Sequence, residues 1–201
     1  KKSLIAHQDN ITDQKSVFIH WTQSGIKEQI NYWIEKYANS KEFNNKNLLI
    51  LSRYNYQFRG LDKTFRDSVQ ERWGENGKVE YMTCHKSKGR ENDVVLIVGL
   101  SSGFLGFPSN IQDDPVLALV KYVHDEYLHA EERRLLYVAM TRTKYQTHVL
   151  CDIEAKSIFS EELAQDKYKT EVLYSFNIDS RQCPKCKKGF VSNLTKNENK
   201  D

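Results

Sequence analysis

Five consecutive aliphatic residues, Val94-Val95-Leu96-Ile97-Val98, stand between the polar bend at 86–90 and Gly99. A strand with one wet face alternates apolar and polar residues. An unbroken run of this length therefore reads as a strand covered on both faces, the habit of parallel sheets packed between helices. Other segments repeat the signal: 48–51 is a continuous apolar tetrad, 17–21 reads Val-Phe-Ile-His-Trp, and strands are also expected near 79–82 and 146–151. Helical periodicity fills the intervals. Ile26, Ile30, Trp33, Ile34 and Tyr37 recur at three- and four-residue spacing, with Ser24 placed to cap them. A second helix is expected over 61–73, a two-part helical region over 113–144 broken near His129, and a short helix over 156–166. Such alternation predicts an α/β fold, a mainly parallel sheet flanked by helices.

The 201 residues suit one such domain, over 1–166, followed by a linker and short tail over 167–201. With 39% hydrophobic residues the chain falls outside the disordered class, and its longest apolar run is far too short to cross a bilayer. The net charge of +3 is too small to argue for a nucleic-acid partner by itself. The chain opens Lys-Lys-Ser with no charged-then-apolar leader, so the expectation is a cytoplasmic piece of a longer protein, with no membrane association. Cys84 and Cys151 stand alone in apolar surroundings and are expected as buried thiols.

Two stretches carry chemistry. Between two expected strands lies Tyr81-Met82-Thr83-Cys84-His85-Lys86-Ser87-Lys88-Gly89-Arg90-Glu91. Ligands of open parallel sheets sit beyond the carboxyl ends of the strands, where Thr83, His85, Lys88 and Glu91 are expected to emerge. Hydroxyl, imidazole and ammonium groups around a tight glycine suit phosphate contact; a polar surface loop is the plainer alternative. The second stretch, residues 131–144, places Arg134, Val138 and Arg142 at four-residue steps on one side of a helix, with Leu135 and Met140 toward the core. A guanidinium near the end of such a helix can reach a phosphate; a solvated face with Glu131 or Glu132 paired to a neighbouring Arg is the alternative.

Taken together these stretches resemble motifs V and VI of the UvrD/Rep family of superfamily 1 DNA helicases. Motif V is matched by Thr83, His85, Lys88, Gly89 and Glu91, and motif VI by Glu131, Glu132, Arg134, Tyr137, Val138, Thr141 and Arg142. Residues 48–55, a buried strand ending in Arg53, are similar to motif IV, and Gly103-Phe104-Leu105-Gly106-Phe107-Pro108 is similar to the segment that follows the motif V strand. The resemblance covers about 17–152. Arg53 and Glu80 are only 27 positions apart, which leaves no room for the large accessory domain that many members insert there. That spacing, the Arg-Tyr-Asn wording at 53–55 and Asp113-Asp114-Pro115 make the bacterial helicase IV branch the nearest likeness. Arg90 stands where the family more often has Leu.

The resemblance implies a RecA-like second motor domain that closes over ATP and Mg2+ held chiefly by a first RecA-like domain of the same protein. No Gly-x-x-x-x-Gly-Lys-Ser/Thr loop occurs in these 201 residues, so this stretch alone is expected to hydrolyse no ATP; separately, it is expected to be a monomer. By the same analogy Arg53 and Arg142 are arginine fingers, Glu91 contacts the nucleotide ribose with Lys88 nearby, and Thr83 and His85 face single-stranded DNA, the motor working 3′ to 5′ on duplex DNA. Cys183-Pro184-Lys185-Cys186 has the spacing expected of half of a four-ligand zinc site. It reads either as part of a Zn2+ ribbon completed by further chain or as two exposed thiols in a polar tail. A non-catalytic DNA-binding module ending in such a ribbon is the alternative function.

Overall fold

In the computed structural model, which describes residues 16–22, 25–74, 77–109, 128–165 and 170–174, one mainly parallel sheet lies between two helical layers. Its elements are β1 (Val17–Thr22), α1 (Ile26–Tyr37), β2 (Leu48–Ser52), α2 (Lys63–Trp73), β3 (Val79–Thr83), β4 (Asn92–Leu100), α3 (Ala130–Met140), β5 (Thr143–Asp152), α4 (Ile158–Leu163) and β6 (Glu171–Tyr174). The strand order is β3-β2-β4-β5-β1-β6, and each neighbouring pair is parallel. Central β4 explains its own sequence. Val94, Leu96 and Val98 pack with α1 and α2 around Trp33 and Trp73. Val95 and Ile97 pack on the other face against Leu136 and Ala139 of α3 and Phe159 of α4. Both faces are dry, so no polar residue interrupts the strand.

Several boundaries differ from the sequence expectation. The helix expected to run to Lys144 stops at Met140, because β5 already begins at Thr143, opposite Asn92 of β4. The first piece of that helical region lies outside the described residues. The N-cap of α1 is Gly25, without a side-chain bond, rather than Ser24. α2 begins at Lys63 because the Asp62 carboxylate accepts the Phe65 N–H at 2.8 Å. The sheet also continues past 166: β6 pairs with β1 inside the segment expected to be a linker. Four residues flanked by polar sequence give too little pattern to read as a strand. Cys84 and Cys151 are fully buried free thiols, as expected.

One buried polar tie was not foreseen. Gln29, on the inner face of α1, donates to Thr22 Oγ1 at 2.9 Å and accepts the Gly99 N–H at 3.2 Å, joining α1 to β1 and β4. Gly99 has φ +72°, and a Cβ there would lie 2.5 Å from Gln57 Nε2, so the position requires glycine.

Candidate functional site

Because the strands run one way, the sheet has an amino edge and a carboxyl edge, and the candidate residues divide between them. β2 ends at Ser52 beside Thr83 of β3, and the Cys84 N–H donates to the Ser52 carbonyl at 2.8 Å. Arg53, Thr83 and His85 therefore meet at the carboxyl edge. The amino edge is marked by Asn47, Lys78, Asn92 and Arg142, where the Asn92 N–H donates to the Arg142 carbonyl at 2.9 Å. Five residues of β2 at about 3.3 Å each put roughly 16 Å between the edges.

The turn from β3 to β4 crosses that distance. It starts at the carboxyl edge, where Ser87 N–H donates to the Thr83 carbonyl at 3.1 Å and the Ser87 hydroxyl donates to the Cys84 carbonyl at 2.7 Å. It ends at the amino edge with Arg90 and Glu91. Thr83 and His85 thus emerge where expected, but Glu91 does not: it lines a polar groove with Asn47, Lys78, Glu80, Asn92, Asp93 and Lys144. Lys88 is exposed on the turn between the two ends. Thr83 is itself mostly buried, its hydroxyl accepting the Lys86 N–H at 3.4 Å, so it shapes the turn, whereas His85 is exposed. Arg90, unusual for the motif, pairs with Glu80 of edge strand β3 at 3.5 Å. Glu80 is held below the usual carboxylate range chiefly by the hydrogen bond from Lys78.

The expectation that Arg53 and Arg142 grip one phosphate together requires correction. α3 runs back from the carboxyl to the amino edge, about 16 Å at 1.5 Å per residue. Arg53 is fastened to its first turn and Arg142 lies beyond its last. The Arg53 guanidinium clasps Glu132, with Nε 2.8 Å from Oε2 and Nη2 2.5 Å from Oε1, both side chains largely buried at 13% and 14% exposure. It also covers the Tyr54 ring at 4.4 Å, and Nη1 lies 3.4 Å from His85 Nδ1. Burial alone would lower the Arg53 pKa, but the bond and charge of Glu132 raise it, so the guanidinium stays charged with the Glu132 carboxylate as its counter-ion.

Arg142 is the opposite case. Its Nε donates firmly to the Val138 carbonyl at 2.8 Å, while Nη1 and Nη2 make only long contacts, 3.5 Å to the Arg90 carbonyl and 3.3 Å to Thr141 Oγ1. Among the described residues it makes no ion pair. One firm bond orients the fork and leaves its outer donors available for two oxygens of an anion. The Glu91 carboxylate lies on the same edge as those donors, whereas Arg53 is already bonded to a carboxylate.

Sequence reasoning missed the Arg53–Glu132 pair, since the partners are 79 positions apart; only the Glu-Glu of motif VI hinted at a carboxylate. It also missed the exposed aromatic surface of the carboxyl edge. Tyr54 and Tyr56 stack at 5.5 Å, and Tyr56 donates to the Leu105 carbonyl at 3.1 Å, beside Phe104, which is 69% exposed. Phe107, three positions on, is wholly buried. Cys183 and Cys186 lie outside the described residues, and among the described residues no cluster of three His, Cys, Asp or Glu could hold a metal ion. No described helix is long and apolar enough to cross a membrane.

The fold is an α/β parallel sheet with the Arg142 fork on one edge and an exposed His85 and aromatic surface on the other. Residues 66–150 match the UvrD-like helicase C-terminal domain. Among curated proteins, DNA helicase IV of Escherichia coli K12 is 34% identical over 114 residues, covering 57% of this chain and 16% of that protein. The probable DNA helicase II homolog of Mycoplasma capricolum is 36% identical over 107 residues, covering 48% and 13%. ATP-dependent DNA helicase Rep of Escherichia coli is 37% identical over 91 residues, covering 44% and 12%. Over residues 66–150 the chain is thus similar to the C-terminal domain of UvrD-like helicases, and it spans less than a fifth of the length of these relatives.

Proposed function

We propose that this chain is the second, RecA-like motor domain of an ATP-dependent DNA helicase that moves 3′ to 5′ along single-stranded DNA. The observation that carries the reading is the division of the motif V turn. One end presents His85 at the carboxyl edge beside exposed Tyr56 and Phe104, and the other brings Glu91 to the amino edge that holds the Arg142 fork, which makes no ion pair among the described residues. Arg142 would engage the terminal phosphate and Glu91 the ribose of ATP, whose phosphate loop and Mg2+ ligands belong to a first motor domain of the same protein. Bound there, ATP supplies the phosphoryl group whose transfer to water drives the motor. Arg142 offers two N–H donors to charge that builds on the phosphoryl oxygens, and such arginines contribute about 10³- to 10⁵-fold in rate. His85 and the aromatic surface would receive DNA, the rings stacking on bases without sequence preference.

The test is ATP hydrolysis by the full-length protein with and without single-stranded DNA, together with unwinding of duplexes bearing 3′ or 5′ single-stranded tails. The expected result is DNA-stimulated turnover and preference for the 3′ tail, while the 201-residue chain alone hydrolyses no ATP. DNA binding by the full-length protein without any ATP turnover would instead favour a non-catalytic DNA-binding module.

A further inference from the structure

The DNA edge and the nucleotide edge are about 16 Å apart, and among the described residues one helix, α3, connects their chemistry. Its first turn carries Glu132, and two residues past its end stands Arg142, whose Nε is bonded to the helix's own Val138 carbonyl. Whatever fixes the first turn of α3 therefore fixes the reach of Arg142. Glu132 is gripped from two sides of the carboxyl edge: Arg53 clasps both carboxylate oxygens, and the Ser109 N–H donates to Oε2 at 3.2 Å. The same Arg53 reaches toward His85 at 3.4 Å and lies over Tyr54, whose hydroxyl is 2.7 Å from Ser109 Oγ. The end of β2, the motif V turn, the segment after β4 and the start of α3 thus converge on one largely buried ion pair.

We propose that Arg53 and Glu132 are positioning residues that transmit DNA occupancy to Arg142, a role that rests on the functional reading above. The pair touches neither ligand. DNA held at His85 and the Phe104 surface moves or stiffens the groups around Arg53, and the clasp passes that change to α3 as a rigid lever. Removing one charge of the clasp leaves its partner largely buried and without its counter-ion, which is costly, so the tie between Arg53 and α3 is firmly held.

The experiment is ATPase kinetics of the full-length protein carrying Glu132→Gln, which keeps size and an acceptor for Ser109 but removes the charge. Expected is a roughly tenfold loss of the maximal stimulation by saturating single-stranded DNA, within the span of ordinary coupling between sites. Turnover without DNA, KM for ATP and DNA affinity should stay within about twofold. Arg53→Lys, which keeps charge but loses the fork, should do the same, and the exchange Arg53→Glu with Glu132→Arg should restore part of the stimulation even if Glu132→Gln lowers the Tm. Parallel loss of basal and stimulated turnover would overturn the proposal, as would unchanged stimulation in Glu132→Gln or no restoration by the exchange. Absence of DNA-stimulated turnover in the unsubstituted protein would overturn the functional reading and this inference with it.

Discussion

Acid should unfold this domain through two buried histidines. His20 of β1 and His148 of β5 lie 3.0 Å apart, Nε2 to Nδ1, and His148 Nε2 is 3.3 Å from the Gln146 amide oxygen. A neutral tautomer chain accounts for this geometry: His20 donates to His148, which donates to Gln146. His20 Nδ1 is left buried without a partner. Tyr32, Trp33, Tyr37 and Phe43 pack around the two rings, Lys36 is the nearby charge, and among the described residues no carboxylate bonds to either. Burial first, and Lys36 second, lower His20 to about 3; burial and His20 hold His148 well below its ordinary value. Both folded-state values are depressed, so the unfolded chain binds protons that the folded chain refuses. Stability is then full above about pH 6.5 and lost as pH falls toward the folded values. Each pH unit below 6.5 costs about 1.4 kcal/mol per histidine, hence about 2 kcal/mol each at pH 5 and about 4 kcal/mol for the pair. Against a typical 5–15 kcal/mol this is severe. At an m-value of about 2 kcal/mol/M the urea midpoint should drop by about 2 M between pH 7.5 and 5. Tryptophan fluorescence can follow the transition, since Trp33 lies 5.0 Å from the His148 ring. A double variant, His20→Gln with His148→Gln, should lose much less. Equal midpoints at the two pH values, or equal losses in both proteins, would refute the argument.

Two phenylalanines three positions apart should fail in different assays. Phe104→Ala should weaken single-stranded DNA binding by the full-length protein about 5- to 150-fold, the value of one base stack, and leave Tm nearly unchanged. Phe107→Ala should instead cost about 3–5 kcal/mol of stability, read by urea unfolding. Burial pushes the Cys84 thiol up to about 12, and Cys151 is raised by burial as well. Brief alkylation at pH 8 followed by mass spectrometry should therefore find both unmodified in the native protein and modified in urea.

The sheet was legible because its strands are buried on both faces. Val94 to Val98 and the tetrad at 48–51 could be nothing else, and their parallel pairing follows from the helices between them. β6 was not legible, because Val172 and Leu173 are too few to set a period and only their pairing with β1 makes them a strand. The candidate site was legible as residue types in a spacing, and motifs V and VI singled out Glu91, His85 and Arg142 as its candidates. What spacing could not supply was direction. A turn that leaves one edge and arrives at the other looks the same in sequence as one that stays put, so Glu91 was expected beside Thr83 and Arg53 beside Arg142. Strand polarity separates them, and the Glu132 carboxylate, distant in sequence, already occupies the Arg53 guanidinium.

The division of labour between the two edges is tested most directly by the turnover number of Arg142→Ala in the full-length protein at saturating ATP and single-stranded DNA. A fall of about 10³-fold or more is predicted, with KM for ATP within a few-fold of the unsubstituted value. Turnover within a few-fold of the unsubstituted protein would contradict the assignment of the amino edge to the nucleotide.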